Sequence, residues 1–271
     1  MRERRDAAVA AFQFLSRFPV KGNPGFSPEL LRRSVIFYPM VGAAIGLCVA
    51  AGAALTGLLL PAWPAAVLTL ILWVSLTGGL HLDGWMDSAD GLLSYRPRER
   101  ALEIMKDSRV GAMGVLACVL LLLFKASLLA ALIEGFAYYE LPLLLVPAVW
   151  SRWYMVRAMV RYPIARGDEG LAANFAGLAS SHERRALAVA ALLSLAAAAA
   201  PLALGAGLAA WPLHLAAALL LPVAALACGT AAARRISSRL GGLTGDVYGA
   251  LNELLEVVLL LVLLLLQHNL M

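Results

Sequence analysis

The most regular feature of this chain is the alternation of long apolar runs with short polar connections. Runs of about 20 apolar residues are long enough to cross a bilayer as helices. Seven such runs lie near residues 35–60, 64–82, 110–133, 141–161, 186–205, 211–232 and 247–267. We therefore predict an all-α, polytopic integral membrane protein with about seven transmembrane helices. Residues 1–271 are predicted to form a single integral membrane domain, because the pattern leaves no room for a sizeable soluble one.

The first 18 residues follow a different pattern. Phe12, Leu15 and Phe18 recur on one side of a helix, whereas polar residues at 13, 16 and 17 interrupt the apolar sequence. A cleavable signal needs an uninterrupted apolar centre. We therefore predict an N-terminal amphipathic helix that lies in the membrane interface.

Composition supports the membrane assignment, and the distribution of charge orients it. The chain is 62% hydrophobic and 14% charged, against about 45–50% and about 25% in soluble domains. The net charge of +5 does not indicate nucleic-acid binding, because the basic residues fall in alternate connections of the predicted bundle. The basic connections are 2–33, 96–109, 152–166, 184–185 and 234–239. The positive-inside rule then places the N-terminus and these loops in the cytoplasm.

Three carboxylates stand out in the string HLDGWMDSADG at 81–91. If this run is helical, Asp87 lies about 40° from Asp83, and Asp90 lies about 20° to the other side. Carboxylates sharing one helix face repel one another unless a cation neutralises them, and oxygen ligands suit Mg²⁺. We predict Asp83, Asp87 and Asp90 as metal ligands. His81, which borders them, is interpreted as structural.

Cations suited to a phosphate follow this acidic run. Lys106 and Arg109 share a face if their segment is helical, and they are predicted to bind phosphate oxygens. The alternative is an ordinary juxtamembrane basic segment that contacts anionic lipid. Arg152 lies deeper, after a Trp-Ser pair, and is predicted to reach a phosphate.

A second acidic site opens the last apolar run. Asp246 follows a glycine-rich turn at its cytoplasmic end, and Glu253 faces the same way about 10 Å deeper. Glu256 lies on an adjacent face. A carboxylate at that depth pairs, binds a metal or lines a cavity. Lys125, alone in an apolar run, is interpreted as a snorkelling or interior-facing lysine rather than a functional one.

Together these motifs resemble those of the cobalamin synthase family, the adenosylcobinamide-GDP ribazoletransferases. The matching strings are FLSRFPV at 14–20, YPMVG at 38–42, LDG at 82–84 with DSADG at 87–91, EIMKDSRVG at 103–111, and GLTGD at 242–246 followed by Gly249, Ala250 and Glu253. The likeness touches both ends and the centre of the chain. Its most specific parts are the acidic motif at 81–111 and the C-terminal acidic motif at 241–256.

The resemblance implies a Mg²⁺-dependent enzyme at the cytoplasmic face of the bacterial inner membrane. Such an enzyme transfers cobinamide phosphate from adenosylcobinamide-GDP to α-ribazole or its 5′-phosphate and releases GMP. A ribose hydroxyl attacks the phosphorus nearer cobinamide. On this reading Asp83, Asp87 and Asp90 hold the metal, Asp83, Asp246 and Glu253 act in catalysis, and Lys106, Arg109 and Arg152 bind the diphosphate. The remaining partners are the lipid bilayer and a possible second copy of the chain.

Two other enzyme classes and one transport function compete with this interpretation. A CDP-alcohol phosphotransferase also uses membrane-edge aspartates, but its Asp-Gly-x-x-Ala-Arg string is missing after Asp83. An intramembrane prenyltransferase shows its Asp-x-x-x-Asp spacing twice, and this chain has no good second copy. An ion-coupled transporter would use Lys125 and Glu253 as buried charges, but it needs access from both sides and the ionisable residues cluster on one.

Overall fold

The computed structural model describes residues 2–167, 169–205, 207 and 211–270, and within these ranges the chain is predominantly helical. Only an isolated parallel bridge between Ile164 and Leu243 has strand character there. The predicted all-α class is confirmed. The α-helices are α1 (Arg2–Leu15), α2 (Pro28–Ser34), α3 (Tyr38–Leu59), α4 (Ala62–Thr77), α5 (Leu80–Leu93), α6 (Arg98–Ile104), α7 (Ala112–Gly135), α8 (Leu145–Arg161), α9 (Ser180–Ala203), α10 (Trp211–Leu240) and α11 (Gly245–Leu270). Short 3₁₀ turns occupy Val35–Phe37, Leu141–Leu144 and Leu171–Phe175.

Five helical stretches of the described chain are long and apolar enough to cross a membrane, and a sixth is obtained if the bent pair α4–α5 counts as one span. The five are Pro28–Leu59, Ala112–Gly135, Ser180–Pro201, Trp211–Leu240 and Gly245–Leu270. The protein is therefore a polytopic membrane protein, but the predicted count of seven is not confirmed. The predicted span 141–161 begins with a 3₁₀ turn and continues as the 17-residue α8. At 1.5 Å per residue α8 is about 26 Å long, shorter than the hydrocarbon core of about 30 Å.

The predicted span 64–82 is also modified, because the chain turns sharply inside it. Gly78 and Gly79 both have positive φ, at 65° and 74°, and α5 leaves at 90° to α4. The side chain of Arg17 lies where a β-carbon of Gly78 would project, so glycine is required there for space as well as conformation. The acidic run thus forms a separate helix rather than a polar extension of a span.

The N-terminal helix is confirmed as a helix with one covered face. Ala7, Ala10, Ala11 and Leu15 of α1 are buried, and α1 packs against α2 and α3. The arginines near its start are exposed. The contact of α1 with a membrane interface remains a prediction. At the end of α1, Phe14 and Leu15 line a cleft between the helices.

Candidate active site

A cleft of about 110 Å³ lies where α1, α5, α8 and α11 meet the loop after α8. Aromatic side chains of Phe14, Phe175 and Tyr248 form part of its wall. Its charged lining comes from Asp83 on α5, Asp246 at the start of α11, and Arg166 in the loop. The cleft therefore combines an apolar wall with two carboxylates and one guanidinium, which suits a ligand that is both aromatic and charged.

Backbone pairing between two distant loops places Arg166 beside Asp246. The amide of Ala165 donates to the carbonyl of Leu243 at 2.9 Å, and the amide of Leu243 donates to the carbonyl of Pro163 at 2.8 Å. Arg166 Nη2 then lies 3.1 Å from Asp246 Oδ2. Thr244 also donates to that oxygen, at 3.2 Å. Arg166 is only 12% exposed, so its charge is directed at the cleft rather than at bulk solvent.

The two acidic helices approach each other at a glycine. A β-carbon on Gly84 would come within 2.5 Å of the carbonyl oxygen of Asp246, which leaves no space for a side chain. Glycine at 84 therefore lets the backbone of α5 contact the first turn of α11. This contact brings Asp83 and Asp246, which are distant in sequence, to one cleft.

The acidic face of α5 is helical as predicted, but its three aspartates have different surroundings. Asp83 is exposed and Asp87 is half-buried. Neither carboxylate has a hydrogen-bond or ion-pair partner among the described residues. Asp87 also experiences the negative charges of Asp83, Asp246 and Asp90 and, more weakly, the positive charge of Arg166. Two unneutralised carboxylates in the field of two others form a site that favours a cation.

Asp90 is instead engaged by the start of α7. Its two oxygens accept hydrogen bonds from the amides of Gly111 at 2.7 Å and Gly114 at 2.8 Å. A carboxylate at a helix N-terminus satisfies amides that have no partner inside the helix. In this geometry Asp90 joins α5 to α7, and its role as a metal ligand remains a prediction.

Glu253 and Arg152 lie apart from the cleft, in a buried ionic cluster. Lys125 Nζ lies 3.1 Å from Glu253 Oε2 and also contacts Glu256. Arg152 Nη1 lies 2.6 Å from Glu256 Oε1. All four side chains are at most 3% exposed. Lys125 is thus interior-facing, as interpreted, while the structure does not bring Glu253 or Arg152 to the cleft with Asp83 and Asp246.

Lys106 and Arg109 lie on the surface and do not line the cleft. Lys106 Nζ pairs with Glu169 at 2.5 Å, and this contact lowers the pKa of the Glu169 carboxyl. Arg109 forms a fork with Asp107, and the hydrogen bonds from Arg109 lower the pKa of Asp107 to about 2. Lys106 and Arg109 are therefore both paired with carboxylates. Their role in binding a diphosphate stays a prediction.

Comparison with known proteins gives a consistent family assignment. The family model described as cobalamin-5-phosphate synthase matches residues 7–264. The chain belongs to the cobalamin-5-phosphate synthase family. A relative from Brevibacillus brevis, named adenosylcobinamide-GDP ribazoletransferase, is 41% identical over 95% of this chain and 97% of its own length. Relatives of the same name from Desulforamulus reducens and Pseudomonas syringae pv. syringae are 40% and 42% identical. They cover 95% and 94% of this chain, and 96% and 98% of their own lengths. No solved structure gives a significant match.

For this family member, Arg166 is the residue that sequence reasoning missed. It stands at the end of a basic connection and shares no helix face with another charged residue. Its position depends on the bridge between Ile164 and Leu243, which joins segments about 80 residues apart. The available signal was indirect: a proline–glycine loop with one arginine follows a helix, and a glycine-rich turn precedes Asp246.

The residues of this site fit Mg²⁺ if substrate phosphates supply part of its coordination. Within the described ranges, no group of three or more His, Cys, Asp or Glu side chains is arranged to hold a metal ion by itself. Mg²⁺ in phosphate-binding proteins usually keeps several waters and takes one or two carboxylates together with substrate phosphates. Asp83 and Asp87 are unpaired carboxylates of that kind, beside a cleft able to admit a diphosphate.

Proposed function

We propose that this chain is an adenosylcobinamide-GDP ribazoletransferase. It transfers the cobinamide phosphate of adenosylcobinamide-GDP to a ribose hydroxyl of α-ribazole or α-ribazole 5′-phosphate and releases GMP. The observation that carries this proposal is similarity over nearly the full length of relatives with that name. The same extent of the match, residues 7–264, supports one integral membrane domain.

The chemistry is a phosphoryl transfer, which depends on positioning and on neutralising charge. The hydroxyl oxygen forms a bond to the phosphorus nearer cobinamide, and the bond from that phosphorus to the bridging oxygen of GMP breaks. Asp83 and Asp87 would hold Mg²⁺, which neutralises phosphate charge when bound. Arg166 supplies a second positive charge from within the cleft. In this proposal Asp246, which lines the cleft, receives the proton of the attacking hydroxyl.

The size of the cleft limits which part of the substrates it holds. About 110 Å³ lies below the range of about 300–1,000 Å³ that accommodates a drug-sized ligand. A volume of that size suits the diphosphate, and neither the attached nucleoside nor the corrinoid ring with its side chains fits in addition. We therefore propose that the corrinoid remains at the mouth of the cleft while its phosphate enters.

The proposed location is the bacterial inner membrane, with the N-terminus and the active site facing the cytoplasm. The clustering of arginine and lysine in alternate connections supports this orientation. The partners proposed are the two small-molecule substrates and the lipid bilayer, without nucleic acid; a homo-oligomer stays a prediction. The buried charges on which a transporter interpretation depended, Lys125 and Glu253, pair with each other.

Reconstituted turnover tests this function directly. Protein purified in detergent or nanodiscs is given adenosylcobinamide-GDP and α-ribazole, with and without Mg²⁺, and GMP and the corrinoid product are quantified. We expect both products in equal amounts only when Mg²⁺ is present. Intact substrates with folded protein and Mg²⁺ would contradict the assignment, and equal rates in a chelator would contradict the role of the metal.

A further inference from the structure

The buried ionic cluster of Lys125, Arg152, Glu253 and Glu256 is electrically balanced. Lys125 lies on α7, Arg152 on α8, and the two glutamates on α11. Two positive and two negative side chains contact one another inside the helix bundle. Burying an ion costs several kcal/mol unless its charge is met by a well-placed partner. The arrangement therefore fixes three helices relative to one another.

Glu256 is the centre of this cluster. One of its oxygens accepts from Arg152 Nη1 at 2.6 Å and from Asn252 Nδ2 at 3.2 Å. The other accepts from Lys125, whose ammonium also lies 4.2 Å from the centre of the Trp73 ring. Because an ionised carboxylate only accepts hydrogen bonds, the amide group of Asn252 must present its NH₂ to Glu256. This contact sets the orientation of the Asn252 side chain.

The oriented Asn252 amide connects the cluster to α5. Asn252 Nδ2 lies 3.1 Å from His81 Nδ1. Since Asn252 is the donor, His81 Nδ1 accepts, and the neutral imidazole carries its proton on Nε2. His81 is 1% exposed and stands two residues before Asp83 on α5. A continuous chain of contacts thus runs from the ionic cluster to the helix that bears the acidic site.

This link lies within the extensive contact between α5 and α11. The two helices approach through Gly84, which contacts the Asp246 backbone, and Gly249, where a β-carbon would lie 3.2 Å from His81 Cα. Glycine contacts permit close approach but offer no side chain to resist sliding. α5 also follows the two-glycine turn, so its orientation is not imposed by continuity with α4. The hydrogen bond between His81 and Asn252 is directional and so adds a constraint on register that the glycine contacts lack.

We propose that His81 and Asn252 are positioning residues, which set α5 against α11 and thereby place Asp83 and Asp87 relative to Asp246. They act through the aspartates; His81 also lines the cleft, whereas Asn252 does not, so Asn252→Leu is the cleaner test of the positioning role. This inference rests on the proposed function, because its main readout is the transfer reaction. A displacement of about 1 Å in such a site costs about 100-fold in rate.

Four variants test the inference. Asn252→Leu and His81→Leu each break the link with an apolar side chain of similar size, and His81→Gln retains an acceptor for the Asn252 NH₂. Ser194→Ala is the matched control, because it removes an equally buried hydrogen bond, from Trp150 Nε1 at 2.7 Å, that does not involve α5. We expect the two leucine variants to lose about 10- to 100-fold in kcat with KM changed less than about threefold. His81→Gln should recover most of the activity, and Ser194→Ala should resemble wild type.

A second readout does not depend on turnover. Mn²⁺ binding, titrated by electron paramagnetic resonance, should weaken in Asn252→Leu and His81→Leu while thermal unfolding stays near that of the Ser194→Ala control. Wild-type kcat and Mn²⁺ affinity in both leucine variants would overturn the positioning role, as would equal losses in Ser194→Ala. No turnover in the wild-type protein would instead count against the proposed function, so the two failures are distinguishable.

Discussion

Replacing Arg166 by methionine removes the cation in the cleft while keeping much of the apolar length of the side chain. Arg166 is 12% exposed and lies 3.1 Å from Asp246, which is 26% exposed. At an effective dielectric constant of about 20, two unit charges at that distance attract by about 5 kcal/mol before desolvation is subtracted. A guanidinium so placed therefore interacts strongly with any negative charge that enters the cleft.

The expected loss of kcat follows from the negative charge that Arg166 faces during phosphoryl transfer. Negative charge moves onto the GMP phosphate as the bond to cobinamide phosphate breaks, and one preorganised donor to developing charge is worth about 10²–10³ in kcat. We expect Arg166→Met to lose that factor. Arg166→Lys should recover part of it, because lysine restores the charge but not the planar fork of donors.

The assay is single-turnover GMP release with saturating Mg²⁺, followed for wild type, Arg166→Met and Arg166→Lys. Arg161→Met is the control, since Arg161 pairs with Glu183 at 2.8 Å, is 50% exposed and lies outside the cleft. A rate for Arg166→Met within threefold of the Arg161→Met rate would refute this reasoning. A lysine variant no better than methionine would show that position, not charge, is what Arg166 contributes.

Other substitutions test the acidic helix and its anchors. Asp83→Asn and Asp87→Asn should each lower turnover by about 100-fold or more and raise the half-saturating Mg²⁺ concentration, measured by metal titration; unchanged values would exclude them as ligands. Gly84→Ala should disrupt the α5–α11 contact and reduce both activity and thermal stability. Gly245→Ala, whose β-carbon would meet Leu171 at an ordinary 3.6 Å, should be tolerated. Asp90→Ala should lower stability by about 1–3 kcal/mol for each amide left unsatisfied, and a melting temperature equal to wild type would contradict its role as an anchor of α7.

The local chemistry of α5 was accessible from the sequence, because it depends on spacing within one helix. Three aspartates at intervals of four and three must share a face in any α-helix. The direction of that helix was not accessible. Gly78 and Gly79 leave the run apolar enough to pass as one continuous span, although the chain turns by 90° there.

The assignment of partners among buried charges was also beyond the sequence. Helical periodicity relates Glu253 to Asp246 along one helix, but it does not show that Lys125 on another helix lies beside Glu253. Arg166 depends on a bridge between two loops, and no local pattern encodes such a pairing. Motifs within one helix were therefore predictable from the sequence. Which charged residues line the cleft and which pair in the buried cluster could be learned only from the three-dimensional structure.

The balanced cluster also has a consequence for how the protein is made. Lys125 and Arg152 are synthesised about 130 and about 100 residues, respectively, before Glu253 and Glu256, the carboxylates that neutralise them. A central lysine costs about 2.5–3.5 kcal/mol on the insertion scale, and leucines contribute about −0.3 to −0.6 kcal/mol each. The eight leucines of α7 offset that cost, so α7 can enter the bilayer before its partner exists. Lys125 and Arg152 therefore gain their carboxylate partners only when α11 is inserted.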